Sequence, residues 1–165
     1  MMKKWLFLMV AASSAAMLSG CDTQSTSPTT KGIDDQALIG TWQCKYAAPY
    51  NSIDLQVTST NSYSKDGNAN IVYKLSSVNS EDQPLMFMAA GKGTWKVTGK
   101  TLTLDIPQYT VSTNSNSLAA EEQRASLQKQ FDQDEKFESE ILRLNDKELV
   151  FVDTEGVSCQ RVLTK

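Results

Sequence analysis

From Ala37 onward the apolar positions fall in short runs that either alternate with polar residues or are rich in β-branched side chains, separated by turn-forming residues. This pattern predicts strands over 39–47, 53–60, 69–77, 84–90, 93–98, 101–106, 137–144, 148–153 and 157–163. Asp66-Gly67-Asn68, Thr98-Gly99-Lys100, Asn145-Asp146-Lys147 and Thr154-Glu155-Gly156 between them tolerate the backbone that tight hairpins require. Strands joined in this way pair antiparallel, so the chain reads as a mainly β meander. About nine short strands in one small domain make either a sandwich or a closed barrel.

One segment departs from the pattern. Residues 117–134 are rich in Leu, Ala, Glu, Gln, Arg and Lys and contain no Gly or Pro; Ser117 is placed to cap a helix carrying Glu121 and Glu122 in its first turn. Its apolar face is limited to Leu118, Ala120, Leu127 and Phe131, which predicts a largely exposed helix inserted between strands and lying across one end of them. The run Leu85-Met86-Phe87-Met88-Ala89-Ala90 has no polar alternation. It implies burial on both faces, a lining of adaptable methionines, or an exposed partner patch. Burial beneath the helix is the simplest of these.

The N-terminal part has a different character. Residues 22–36 hold few large apolar side chains and much Ser, Thr and Pro, as expected of a tether with a coil span on the order of 20 Å. Before it, Lys3 and Lys4 precede an apolar run, Trp5 to Leu18, too short to span a bilayer comfortably. Leu18-Ser19-Gly20-Cys21 resembles the lipobox of bacterial lipoproteins. That resemblance implies a signal peptide over 1–20, cleavage before Cys21, and acylation of Cys21 with palmitate-type chains. The chain then divides into signal (1–20), lipidated cysteine and tether (21–36), and β domain (37–165). It implies a protein anchored in the cell envelope and facing the periplasm. Asp22 resembles the residue that retains enterobacterial lipoproteins, which favours the inner membrane over the outer.

Charge and cysteine content then narrow the partners. The chain carries 16 basic and 19 acidic side chains, a formal charge of −3, and loss of Lys3 and Lys4 with the signal makes the mature protein more acidic still. No Lys/Arg cluster interrupts this balance, which argues against a nucleic-acid partner. If lipid consumes Cys21, Cys44 and Cys159 remain as an even pair in an oxidising compartment, and one disulfide is expected.

Gly40-Thr41-Trp42 resembles the Gly-x-Trp motif that opens lipocalins and the lipocalin-like domains of bacterial lipoproteins. The segments Gly93-Thr94-Trp95-Lys96-Val97-Thr98-Gly99-Lys100-Thr101-Leu102-Thr103-Leu104 and Leu142 to Phe151, with Arg161 near the end, resemble those domains too. The resemblance implies an antiparallel up-and-down, lipocalin-like barrel of about eight or nine strands with one inserted helix. It also implies that the last strand pairs with the first and lays Arg161 over Trp42. In an antiparallel pair, two residues forward on one strand match two back on the other. The register opposing Trp42 to Arg161 therefore opposes Cys44 to Cys159 on the same face, within disulfide reach.

Candidate chemistry is sparse. The chain has no histidine, which removes Ser-His and Cys-His nucleophile pairs and the commonest zinc sites. Gly91-Lys92-Gly93 lacks the spacing of a phosphate loop, and Asp66-Gly67-Asn68 lacks a calcium frame. Glu121, Glu122, Asp132, Asp134 and Glu135 fit a solvated helix face. We therefore expect no catalytic residues, no metal and no cofactor. Trp42 is expected at the barrel closure, with Tyr46, Met86, Phe87, Met88 and Trp95 as the candidate ligand or partner surface. The expected function is a non-enzymatic envelope lipoprotein that binds a small apolar ligand or a protein partner. The alternative is a membrane-anchored immunity or inhibitor protein acting on a periplasmic toxin or hydrolase.

Overall fold

Alternation of apolar and polar residues becomes inside and outside of a closed sheet in the computed structural model, which describes residues 33–50, 53–77, 85–133, 135–152 and 157–163. The signal segment, Cys21 and the tether up to residue 32 lie outside the described residues. Nine strands and one α-helix follow a short 3-10 helix, Asp35–Leu38: β1 (Gly40–Tyr50), β2 (Ile53–Tyr63), β3 (Asn68–Ser77), β4 (Met86–Thr98), β5 (Thr101–Asp105), β6 (Tyr109–Thr113), α1 (Leu118–Phe131), β7 (Lys136–Leu144), β8 (Glu148–Phe151) and β9 (Ser158–Arg161). All pairings are antiparallel. The order β3-β2-β1-β9-β8-β7-β5-β4 closes on itself through β3–β4, an eight-stranded up-and-down barrel with β6 as an extra strand beside β4. Closure resolves the sandwich-or-barrel alternative and removes the open edges of the eight barrel strands, which would invite aggregation.

Inward positions hold Trp42, Cys44, Leu55, Val57, Ile71, Leu75, Phe87, Ala89, Leu102, Leu104, Ile141, Leu149 and Cys159, all buried. Outward positions on the same strands hold Lys45, Gln56, Asn70, Lys74, Lys92, Lys96, Glu138 and Glu140, all exposed. The exterior thus faces water, the reverse of the apolar belt on a membrane-spanning barrel. The expected register is present: Trp42 faces Arg161, and Cys44 faces Cys159 with Cα atoms 4.0 Å apart and a disulfide between them.

Three expectations need correction. The strands expected over 84–90 and 93–98 are one strand, β4 (Met86–Thr98), and Gly91-Lys92-Gly93 does not break it; residue 84 lies outside the described residues. The glycines are there for close approach: a Cβ on Gly91 would lie 2.6 Å from Ile106 Cγ2, and one on Gly93 would lie 1.8 Å from the Asp105 carbonyl oxygen. The crowding arises because β5 and β6 are two halves of one strand position beside β4. Thr94 pairs with Asp105 but Gly91 pairs with Tyr109, so an extra residue sits at the bend and Pro107, which donates no hydrogen bond, occupies it. Strand β6 was not expected at all. Packed structure also begins before Ala37, since the Ile33 N–H bonds to the Gly99 carbonyl (3.0 Å) and Asp34 accepts from the Gln36 N–H.

Helix α1 is capped by Ser117, which accepts from the Ala120 N–H, as expected. Ala120 and Leu127 are buried and Phe131 half-buried, but Leu118 is 86% exposed and belongs to no apolar face. The helix lies over the end of the barrel where β1 finishes and β2 begins. There Tyr50 donates to Ser126 (3.0 Å), and Phe131 packs on Tyr73 and Tyr109 with centroids 5.4 and 4.9 Å apart. Gln128 completes the fit. Its Oε1 accepts from the Val111 N–H (2.9 Å) and its Nε2 donates to the Tyr109 carbonyl (2.8 Å), so a side-chain amide takes the place of a neighbouring strand along β6.

Candidate functional site

The two ends of the barrel are sealed differently, and the interior between them is not filled. At the end bearing the 3-10 helix, Trp42 is fully buried and donates from its indole nitrogen to the Leu38 carbonyl (2.8 Å). Arg161 lies over that indole, its guanidinium carbon 4.4 Å from the ring centroid. The same guanidinium donates to three backbone carbonyls: Ile39 (2.7 Å), Asp146 (2.9 Å) and Ala37. Gly40 makes room for it, because at φ +130° a Cβ there would stand 2.5 Å from Arg161 Nη1. Arg161 and Trp42 therefore close the barrel, while Trp42 fills core space and lines no opening.

Beyond this plug, parity along β2 turns Leu55, Val57, Ser59, Asn61 and Tyr63 inward. Two cavities follow one another. The first, about 140 Å³, lies beside the disulfide and is lined by Ser59, Asn61, Tyr63, Leu104, Phe151 and the two cysteines, with Phe137 and Val157 completing it. The second, about 230 Å³, lies under α1 among Ala48, Leu55, Val57, Leu75, Leu127 and Phe131. Tyr46 and Tyr73 line both and divide them.

The interior chemistry is neutral. Burial raises the pKa of Tyr46 and, more strongly, of Tyr63 and Tyr73; the nearby Tyr109 adds to the rise at Tyr63 and Tyr73. Asn61 Nδ2 points at Cys44 Sγ (3.8 Å), while Asn61 Oδ1 and the Tyr63 hydroxyl are buried without a hydrogen-bond partner. Among the described residues, those lining the two cavities carry no carboxylate or cationic group. Among the described residues no group of three or more His, Cys, Asp or Glu side chains could hold a metal ion. Such an arrangement can sequester an uncharged molecule.

Of the other candidate residues, Tyr46 lines the cavities and Phe87 is a buried core side chain. Trp95 is half-buried beside the β2–β3 turn, edge-on to Tyr63 at 5.7 Å and donating to the Ser64 carbonyl (3.0 Å). Met86 and Met88 point outward, 40% and 45% exposed, so the apolar run at 85–90 alternates in space and is not buried on both faces. Cys21 lies outside the described residues. Asn61, Tyr63, Ser59 and Tyr73 were not among the expected site residues. The available signal was the parity set by Leu55 and Val57, carried past residue 60. No protein-family model matches the chain, and no curated protein sequence matches it.

Proposed function

We propose that this chain is a non-catalytic, lipid-anchored envelope protein, facing the periplasm, whose lipocalin-like barrel binds a small apolar ligand in its interior. The observation that carries this reading is the pair of neutral, largely apolar cavities meeting at Tyr46 and Tyr73. Concave apolar space with a few convergent polar groups is the usual form of a small-molecule site. The anchor rests on Leu18-Ser19-Gly20-Cys21 and its basic, apolar approach. Native mass spectrometry of protein released gently from membranes tests the binding, a co-purifying neutral small molecule being the expected result. Loss of acyl labelling and of membrane fractionation in Cys21→Ala tests the anchor; a variant still labelled and still membrane-bound refutes it.

A second reading has one observation in its favour. The outward methionines Met86 and Met88 on β4 offer an adaptable apolar strip to a protein partner, as an immunity or inhibitor protein needs. Stoichiometric co-purification of a protein that is lost in a Met86→Lys, Met88→Lys variant would favour it over ligand carriage.

A further inference from the structure

We propose that the cavity beside the disulfide is a binding site for an uncharged, hydroxyl-bearing molecule of about phenol's size, recognised by Asn61 and Tyr63. This rests on the ligand-binding reading above and specifies its ligand.

Size comes first. The cavity holds about 140 Å³. An apolar protein cavity of about 150 Å³ accommodates benzene, so one six-membered ring fits within it. Leu104, Phe137, Phe151 and the disulfide provide apolar walls for such a ring.

Polarity selects the substituent. Asn61 is 8% exposed and Tyr63 3%, yet Asn61 Oδ1 and the Tyr63 hydroxyl have no partner. Buried polar groups are nearly always hydrogen-bonded, and an unpaired one marks an incomplete arrangement. Turning the Asn61 amide over would exchange an orphaned carbonyl for an orphaned N–H, so either orientation leaves a polar group that a ligand can engage. A hydroxyl both donates and accepts, and it meets that need whichever way the amide lies.

Charge sets the last limit. With no cationic or acidic side chain among the described residues of the wall, a carboxylate or an ammonium there would have no charged partner among them, which is strongly disfavoured. Tyr63 itself stays protonated, and its O–H is available to donate.

The test is a titration of the full, disulfide-bonded chain with benzene, phenol and benzoate, followed by NMR shifts of the amides of residues 59–63. It is repeated with Asn61→Leu and with the single-atom change Tyr63→Phe. We expect phenol to bind about tenfold more tightly than benzene, the step one hydrogen bond to a buried group supplies. That preference should fall to within about twofold in Asn61→Leu and decrease in Tyr63→Phe, and benzoate should not bind. Equal affinity of phenol and benzene, or an undiminished preference in both variants, overturns the polar recognition while leaving the hollow barrel intact. Binding by neither aromatic, with waters holding Asn61 and Tyr63, overturns this proposal and removes this cavity from the ligand-binding reading as well.

Discussion

Replacing Arg161 by lysine keeps the charge at the barrel closure and removes its shape. The guanidinium stacks on Trp42 at 4.4 Å and reaches three backbone carbonyls at once: two on the segment before β1 and one on the β7–β8 turn. An ammonium on a flexible stem has no planar face to stack and no fixed fork of donors with which to reach carbonyls on two separate segments. The lost stack is worth about 0.5 to 2 kcal/mol. Arg161 is only half-buried, so water replaces part of each lost hydrogen bond, and these add about 1 to 1.5 kcal/mol. Arg161→Lys should therefore cost about 1.5 to 3.5 kcal/mol, or roughly 5 to 13 °C in Tm for a domain of this size.

Thermal and urea denaturation of the oxidised protein measure this directly, with Arg143→Lys as the control. Arg143 pairs with Glu148 on the exposed surface (3.0 Å), and its substitution should leave the Tm unchanged within error. A double-mutant cycle with Trp42→Phe isolates the stack, which should appear as a coupling of about 0.5 to 2 kcal/mol. Coupling indistinguishable from zero, or an Arg161→Lys variant as stable as the parent, would refute the claim that this side chain seals the barrel.

Removing the disulfide with Cys44→Ala and Cys159→Ala together opens a loop of 115 residues and should cost about 4.8 kcal/mol in the chain-entropy treatment; urea midpoints check it, and a loss under about 1 kcal/mol contradicts it. Gln128→Leu leaves the Val111 N–H without its acceptor, and should destabilise by about 1 to 3 kcal/mol and speed hydrogen exchange at Val111 more than in the β2–β3 hairpin. Burial raises the folded-state pKa of Tyr46, Tyr63 and Tyr73, so their contribution to stability is complete below the ordinary tyrosine pKa of 10.0 and is lost as pH rises from there towards the folded values. Near-ultraviolet absorbance should then show these phenols ionising together with alkaline unfolding, and reversible ionisation of all three near pH 10 in the folded protein would contradict it.

The closing register was legible before any coordinate because two pairings constrained one another. Trp42 with Arg161 and Cys44 with Cys159 belong to a single antiparallel alignment, and strand parity transmits the constraint from one to the other. Glycine misled where its role was spatial. Gly91 and Gly93 read as a break between strands, whereas they admit Ile106, Tyr109 and the Asp105 backbone against a continuous β4. Strand β6 was hidden by Pro107 before it and by the Ser/Thr/Asn-rich stretch running into the helix, although Tyr109 and Val111 alternate as an inward face should. The interior polar groups were lost for a simpler reason. Ending the second strand at residue 60 cut off Asn61 and Tyr63, the two positions where an inward-facing side chain carries an unpartnered polar atom. What no pattern announced was Gln128. Its two backbone bonds depend on β7 pairing with β5 and not with β6, which is a property of the whole barrel and not of the helix.

That dependence explains why a helix so poor in apolar residues stays where it is. At the opposite end, closure is made of strand pairing, a disulfide, a stacked guanidinium and carbonyls held from two segments, so opening it requires disrupting the sheet itself. At the helix end the contacts are Ala120, Leu127 and Phe131, one hydroxyl pair at Tyr50 and Ser126, and one amide at Gln128. Few buried apolar contacts mean a small free energy of local opening. Lifting α1 would uncover the larger cavity without breaking a strand pair, because β6 meets the helix through a side chain where the other strands meet neighbouring strands. The asymmetry follows from the sequence at both ends: Gly40, Trp42 and Arg161 converge on one rigid plug, while a polar helix with a short apolar stripe covers the other mouth. The larger cavity thus lies beneath the less firmly held cover, beside Phe131, with Tyr46 and Tyr73 shared between it and the smaller one.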